Sequence, residues 1–505
     1  MSRFAFAPIF QDYMVLQRNK RIRIFGTGEN GEKVIVSLGE DSSTTVISDG
    51  KWMVELQAQN HRNPVIIKAV SNELELNIYH VVFGEVYIAG GQSNMQFMLK
   101  ETFEYEEALK SIHKMDFRFY ATPRIAYEGE DKSMELSGWH RSCDKSFDMF
   151  SAVSYFFGLK LQEYVDCPIG IISCNWGGSS LFNWISEEEG LSILSTSSHL
   201  QKIIHEVNNK SKIQYDNEEK KYKEKLKLYD KQVNELKRED KTLTEEYPLD
   251  YFHKTKSIDY PWPPPLGFRS FLRPGGLYKH MVKRLAPISV AGVLWYQGES
   301  DMECGASYRD MLMKLFTSWR NLFEDEELFF LVVQLPMFLS EECDSLNRVA
   351  IRQAQFDVSQ EDRFAAMACI LDLGDRDNIH PLFKKEVGSR LGILAGKYIY
   401  GKEEDAEGPI LHKVEKTSSG YSLYFHHAHK GIYARQGIVL GFQVVEESCI
   451  YDVRAMIVGH HIEIASSEIR HFEEIKSIRY AYESFMLTSM YNWKQLPMYP
   501  FSVEV

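Results

Sequence analysis

At 505 residues, with 44% hydrophobic and 26% charged side chains, the chain has the composition of a soluble globular protein and exceeds what one small core can organise. Its formal charge of −13 argues against a polyanionic partner such as nucleic acid. Seven cysteines (Cys143, Cys167, Cys174, Cys304, Cys343, Cys369, Cys449) lack C-x-x-C spacing, so neither a disulfide framework nor a structural zinc site is expected. With no leader-like N-terminus and no apolar run of membrane-spanning length, the expected setting is cytoplasmic, away from a membrane.

Residues 1–83 carry short alternating runs ("RIRIFG", "KVIVSLG", "PVIIKAV") separated by turn signals such as Asn30-Gly31 and Asp49-Gly50, which predict a small antiparallel, sandwich-like β domain. Over residues 84–401 apolar runs alternate with helical stretches. The expected strands are "EVYIA", "DFRFYA", "IGIIS", "AGVLWY", "LFFLVVQL" and "AAMACILDL", and such continuous runs imply a parallel sheet covered on both faces. β texture returns over 402–505 as a C-terminal β domain. A helical insertion at about residues 190–260 interrupts the middle segment. Its charged stretch 217–240 has apolar residues at Tyr222, Leu226, Tyr229, Val233 and Leu236, one narrow helical stripe. The expectation is an arm lying over the middle domain, with a dimer contact as the lesser alternative; "YPWPPP" is its stiff return.

Five features in the middle segment can carry chemistry. In "GGQSNM", Ser93 ends a buried strand and starts a helix, at the edge where open α/β sheets bind ligands. It reads either as a helix N-cap or as a nucleophile whose own N–H can stabilise an oxyanion. In "SCNWGGSS", Gly177 and Gly178 let a backbone N–H approach a reacting carbonyl. "WYQGESD" delivers Gln297 and Glu299 to a strand end, and the Gln297 amide is a further candidate donor. "RPGGLYKHM" starts a helix beside Arg273. In "DLGDRDNIHP", Asp377 can accept from one ring nitrogen of His380 and leave the other as a base; an acidic helix start is the competing reading. Each has a turn-and-packing explanation, but each also follows a separate expected strand, so one sheet edge can carry them all.

These blocks, together with "PIGIISCNWGGSSLFNW", "IRYAY", "LPMYPF" and the opening "DYMVLQRNKRIRIFG", resemble the sialate O-acetylesterase family of the SGNH-hydrolase superfamily, related to acetylxylan esterases. The resemblance covers nearly the whole chain and departs from the family at Lys279 and His280, where Asn-Gly is common. It implies an α/β fold, a flavodoxin-like three-layer sandwich with flanking antiparallel β domains. It implies Ser93 as nucleophile, His380 as general base and acid, and Asp377 as its orienting group. The Ser93 amide, Gly177 or Gly178, and Gln297 would form the oxyanion hole. Gln92, Asn94, Trp176, Glu299, Arg273 and Arg352 are candidates for substrate contacts, the two arginines for a sialic acid carboxylate.

The expected activity is hydrolysis of O-acetyl esters on sugars through a serine acyl-enzyme, with no cofactor and no metal; monomer and homodimer both stay open. An acetylxylan or other glycan acetylesterase is the alternative, for which Trp184, Trp262 and Trp295 would be aromatic platforms. A non-catalytic carbohydrate-binding protein is a second. A third is a metal protein using His426, His427 and His429 or His460 and His461, since strand alternation would put His427 and His429 on one face.

Overall fold

An eighteen-residue strand, Leu74–Gly91, changes character half-way along. Its first half pairs antiparallel with Val65–Ser71, whereas Glu85–Gly91 pairs in parallel with Ile169–Asn175. Every residue from Val81 to Gly91 is buried, so the strand passes unbroken through the expected boundary at 83/84 into sheet interior. The computed structural model describes residues 4–112, 115–130, 137–193, 197–239, 258–339, 345–447 and 449–505. Cys343, and 194–196 and 240–257 of the insertion, lie outside the described residues.

The chain divides into two units, each discontinuous in sequence. The first contains Met1–Phe150, Cys167–Val290 and Asp310–Glu326. Here the N-terminal runs form antiparallel strands: Ile22–Thr27 pairs with Ala5–Phe6 and Lys51–Leu56, and Lys33–Leu38 pairs with Asp41–Val46 and Val65–Ser71. Strict alternation of burial along Lys51–Leu56 is the half-buried pattern its sequence predicts. Ile169–Asn175 lies in parallel between Phe117–Ala121 and Glu85–Gly91, so the loops after these three strands emerge at one carboxyl edge. An edge strand that the sequence reading lacks, Gly138–Arg141, pairs antiparallel with Phe117–Ala121.

The charged arm is the helix Lys212–Glu239. Its stripe is covered by the chain's own return: Tyr229 and Val233 are buried, and Leu236, Ile258 and Tyr260 pack against them. Tyr229 meets Tyr260 edge to face at 5.2 Å. The C-terminal part of that apolar stripe, Tyr229 to Leu236, is thus covered within one chain.

The second unit contains Ser151–Asp166, Ala291–Arg309 and Glu327–Val505. Its strands Gly292–Tyr296, Phe329–Val333 and Ala365–Ala368 are parallel and wholly buried, as continuous apolar runs require. Helices Ala152–Leu161 and Lys384–Tyr398 touch along Gly388 and Gly392: a Cβ at Gly388 would stand 2.5 Å from the Val153 carbonyl oxygen. The C-terminal β strands follow, and the tail is tied back where Tyr499 Oη donates to the Met367 carbonyl at 2.6 Å. The fold is α/β with antiparallel β elements at both ends. Among the described residues no helix is long and apolar enough to cross a membrane.

Candidate active site

In the first unit, strand Leu74–Gly91 ends on two glycines, and a single helical turn, Ser93–Gln96, follows. The cap residue is Gln92, in extended conformation, and Ser93 is the first helical residue. The N-cap reading of Ser93 is thereby removed. Gln92 and Asn94 are both buried.

The strand end facing it carries three consecutive residues with different neighbours. Trp176 N–H donates to the Gly91 carbonyl at 3.1 Å, stitching the two strand ends together. Its indole stacks on Phe271 with ring centroids 4.6 Å apart and planes 10° from parallel. A Cβ at Gly177 would lie 3.4 Å from Ser93 Cβ, an ordinary contact, so this turn runs beside the serine with room to spare. The Gly177 N–H donates to Gln96 Oε1 at 2.9 Å, a partner that the sequence reading does not contain. Gly178 has φ +73°, and a Cβ there would come within 2.7 Å of the Trp262 ring, so both conformation and space call for glycine.

Of the three tryptophans expected as sugar platforms, Trp184 and Trp295 are wholly buried and cannot serve. Trp184 Nε1 instead donates to Ser179 Oγ at 2.9 Å, which in turn donates to the Trp176 carbonyl at 2.7 Å. That chain holds the glycine turn in shape. Trp262 is 50% exposed.

Arg273 Nη2 donates to the Ala126 carbonyl at 2.7 Å, on the loop after Phe117–Ala121. Its Nε has no hydrogen-bond partner among the described residues, and burial lowers its pKa. His280 is pushed down to about 4, first by burial and then by Arg273, Lys279 and Arg284. Arg273, Lys279 and Arg284 outnumber the opposing Glu128 around this ring, at the very position where the chain departs from the family pattern.

In the second unit, Gln297 follows strand Gly292–Tyr296 and is wholly buried. Its Nε2 donates to Asp301, and Tyr308 Oη donates to both its side-chain and main-chain oxygens at 3.0 Å. Asp301 and Tyr308 thus fix which way the carboxamide faces. One of its two N–H groups is committed to Asp301. Glu299 is partly buried just beyond. Arg352 is 1% exposed, with Nη1 on Met337 Sδ and Nη2 on the Glu483 carbonyl. Burial and then Arg348 push it down to about 9. It is a core residue of its unit rather than an exposed anion ligand.

Asp377 and His380 share one loop. Asp375 Oδ1 accepts from the N–H groups of Asp377 and Asn378 at 2.8 and 2.9 Å, and Asn378 Oδ1 accepts from His380 N–H at 2.9 Å. These side-chain turns shape the run "DRDNIH". Behind it, Arg390 and Asp372 form two parallel hydrogen bonds of 2.6 and 2.8 Å, and Tyr491 Oη donates to Asp372 at 3.3 Å. Asp377 is exposed and His380 partly buried. The His380 ring is pushed down to about 4, by burial first and by the Lys384 ammonium second.

For the metal reading, strand Gly420–His426 stops before His427, which has φ +57° and begins a turn. The alternation that would align His427 with His429 therefore does not exist. Among the described residues no group of three or more His, Cys, Asp or Glu side chains could hold a metal ion.

Residues 265–397 match the family model described as carbohydrate esterase, sialic acid-specific acetylesterase. The sialate O-acetylesterase of Mus musculus is 26% identical over 454 residues, covering 82% of this chain and 77% of its own length. That of Homo sapiens is 25% identical over 467 residues, covering 85% and 76%. Among solved structures, one described as a novel carbohydrate acetylesterase from Xanthomonas citri is 21% identical, with a TM-score of 0.77 and 99% of each chain covered. The resemblance read from the motifs is borne out by these matches. The family-model span contains Arg273, Gln297, Arg352, Asp377 and His380, while Ser93 and Gly177 precede it.

Proposed function

We propose that this protein is a carbohydrate O-acetylesterase that hydrolyses O-acetyl esters of sialic acids through a serine acyl-enzyme, on the flavodoxin-like three-layer SGNH-hydrolase fold. The observation that carries the serine mechanism is the local geometry of Ser93. It opens a one-turn helix at the end of a buried strand, Gln92 takes the cap position, and Gly177 lies beside its Cβ. That surrounding suits a nucleophile better than a structural cap. The likeness to sialate O-acetylesterases supports the substrate class.

In this mechanism Ser93 Oγ attacks the acetyl carbonyl carbon while His380 takes its proton. The C–O bond to the sugar then breaks, and the sugar oxygen leaves with that proton. Water, deprotonated by His380, hydrolyses the acetyl-enzyme and returns the proton to Ser93. The oxyanion is met by the Ser93 N–H, by Gly177 once its N–H turns from Gln96, and by the Gln297 amide. Asp377 is assigned the orienting role by its place in the motif. The cations around His280, with Arg273 foremost, suit a substrate that bears a carboxylate. Ser93→Ala should abolish acetate release from O-acetylated sialic acid and labelling by a fluorophosphonate. Wild-type turnover in that variant would refute the assignment.

A further inference from the structure

We infer that Trp262, carried on the return of the charged arm, is the face against which the substrate's sugar ring stacks, and that the arm exists to hold it there. The inference rests on the esterase reading of Ser93. Three consecutive residues link the indole to the serine: Trp176 stacks on Phe271, Gly177 lies beside Ser93, and Gly178 lies under the Trp262 ring. Gly177 and Gly178 are adjacent, with Cα atoms about 3.8 Å apart, so the serine and the indole border the same turn.

Trp262 is 50% exposed, although its ring is backed by Gly178 and by Phe271, with ring centroids 6.4 Å apart. A large aromatic held rigidly at its edge and open on a face is poor as core and well suited to the apolar C–H face of a sugar. Gly178 is part of the device, since a side chain there would push the indole off its seat.

The arm supplies the contacts that fasten this surface. On one side of Trp262, Ile258 and Tyr260 pack on Tyr229, Val233 and Leu236 of helix Lys212–Glu239, and the Tyr222 and Tyr260 side chains are hydrogen-bonded. On the other, Arg269 Nη2 bridges Asp216 and Glu219 of the same helix at 2.5 and 2.9 Å. The Tyr215 ring fills the space beside Gly267, where a Cβ would come within 2.8 Å of it. The segment bearing Trp262 is thus fastened to the arm before and after the indole. Trp262 is a specificity-determining residue on this reading, and Tyr260 a positioning residue.

The test compares kcat/KM on an O-acetylated sialic acid with kcat/KM on methyl acetate, which has the reacting ester but no ring. For Trp262→Ala the sugar-to-methyl-acetate ratio should fall about tenfold, mainly through KM for the sugar, and Trp262→Phe should recover most of it. Tyr260→Ala should lower the same ratio with a smaller change in kcat. An unchanged ratio in Trp262→Ala overturns the inference, as does an equal fall on both substrates accompanied by a lowered Tm, which is the signature of a purely structural indole. Ser93→Ala, assayed alongside, separates the two claims: its inactivity upholds the esterase reading whatever the Trp262 variants do, and its activity overturns both.

Discussion

The pH dependence follows from one ring and one ammonium. His380 is held at about 4 against an ordinary 6.5, with burial the larger cause and Lys384 the second. The gap corresponds to about 3 kcal/mol, at about 1.4 kcal/mol per pH unit. At pH 5.5 a ring with a pKa of 4 is about 97% neutral, whereas an ordinary one would be about 9% neutral, a roughly tenfold difference in available base. The acid limb of kcat/KM should therefore lie near pH 4. Lys384, wholly buried in the first turn of helix Lys384–Tyr398, is the removable cause. In Lys384→Met the limb should move upward but stop short of 6.5, because burial remains. The sign holds for stability as well. The unfolded chain binds the proton more readily, so the contribution is complete above about 6.5 and is lost as pH falls toward 4. Initial rates of acetate release from pH 3.5 to 8, with circular dichroism at each pH to exclude unfolding, decide the matter. A wild-type limb between 6 and 7, or one that stays put or drops in Lys384→Met, refutes the reasoning.

Gln96→Met removes the acceptor that holds the Gly177 N–H while keeping side-chain length. If that N–H is an oxyanion donor, losing a competing bond of about 1 kcal/mol should raise kcat about fivefold; a fall would show that Gln96 itself is needed. Gln297→Ala should lower kcat about 10²–10³-fold on any acetate ester, and a loss below tenfold in a folded variant would remove Gln297 from the oxyanion hole. Arg390→Met leaves the Asp372 carboxylate, 3% exposed, without its paired guanidinium, and should cost about 3–5 kcal/mol in chemical denaturation. A cost under about 1 kcal/mol would mean that the Asp377–His380 loop does not depend on this anchor.

The parallel strands were legible because burial on both faces demands continuous apolar runs. All six expected runs contain strands, although "AAMACILDL" pairs only over Ala365–Ala368 before bending at Leu371–Leu373. The loop chemistry was partly legible for a similar reason. Asp375, Asn378 and His380 are close in sequence, so their turn hydrogen bonds are local. Gln96, Asp301 and Arg390 were not legible, although each governs a motif residue. Gln96 reaches Gly177 across 81 positions and Arg390 reaches Asp372 across 18. Nothing in a glutamine or arginine on a helix announces a distant partner. Arg352 misled for the opposite reason, since an arginine in a helix normally reads as surface, and only the packing shows it withdrawn into the core.

The tripeptide Trp176-Gly177-Gly178 ties these observations together. Two adjacent glycines in a sequence suggest backbone freedom, and one of them does adopt φ +73°. At Gly178 the stronger requirement is space, which it yields to an indole from a segment 84 residues further along the chain. A methyl group at Gly177 would meet Ser93 and Gln96 at ordinary contact distance, whereas at Gly178 it would overlap Trp262. Gly177→Ala should therefore act weakly and alike on every acetate ester, while Gly178→Ala should fall hardest on substrates with a sugar ring. Measuring both variants on O-acetylated sialic acid and on methyl acetate tests that division. Two glycines with the same substrate profile would show that the turn acts only as a unit, and that neighbouring positions do not separate the chemistry of the ester from recognition of the sugar.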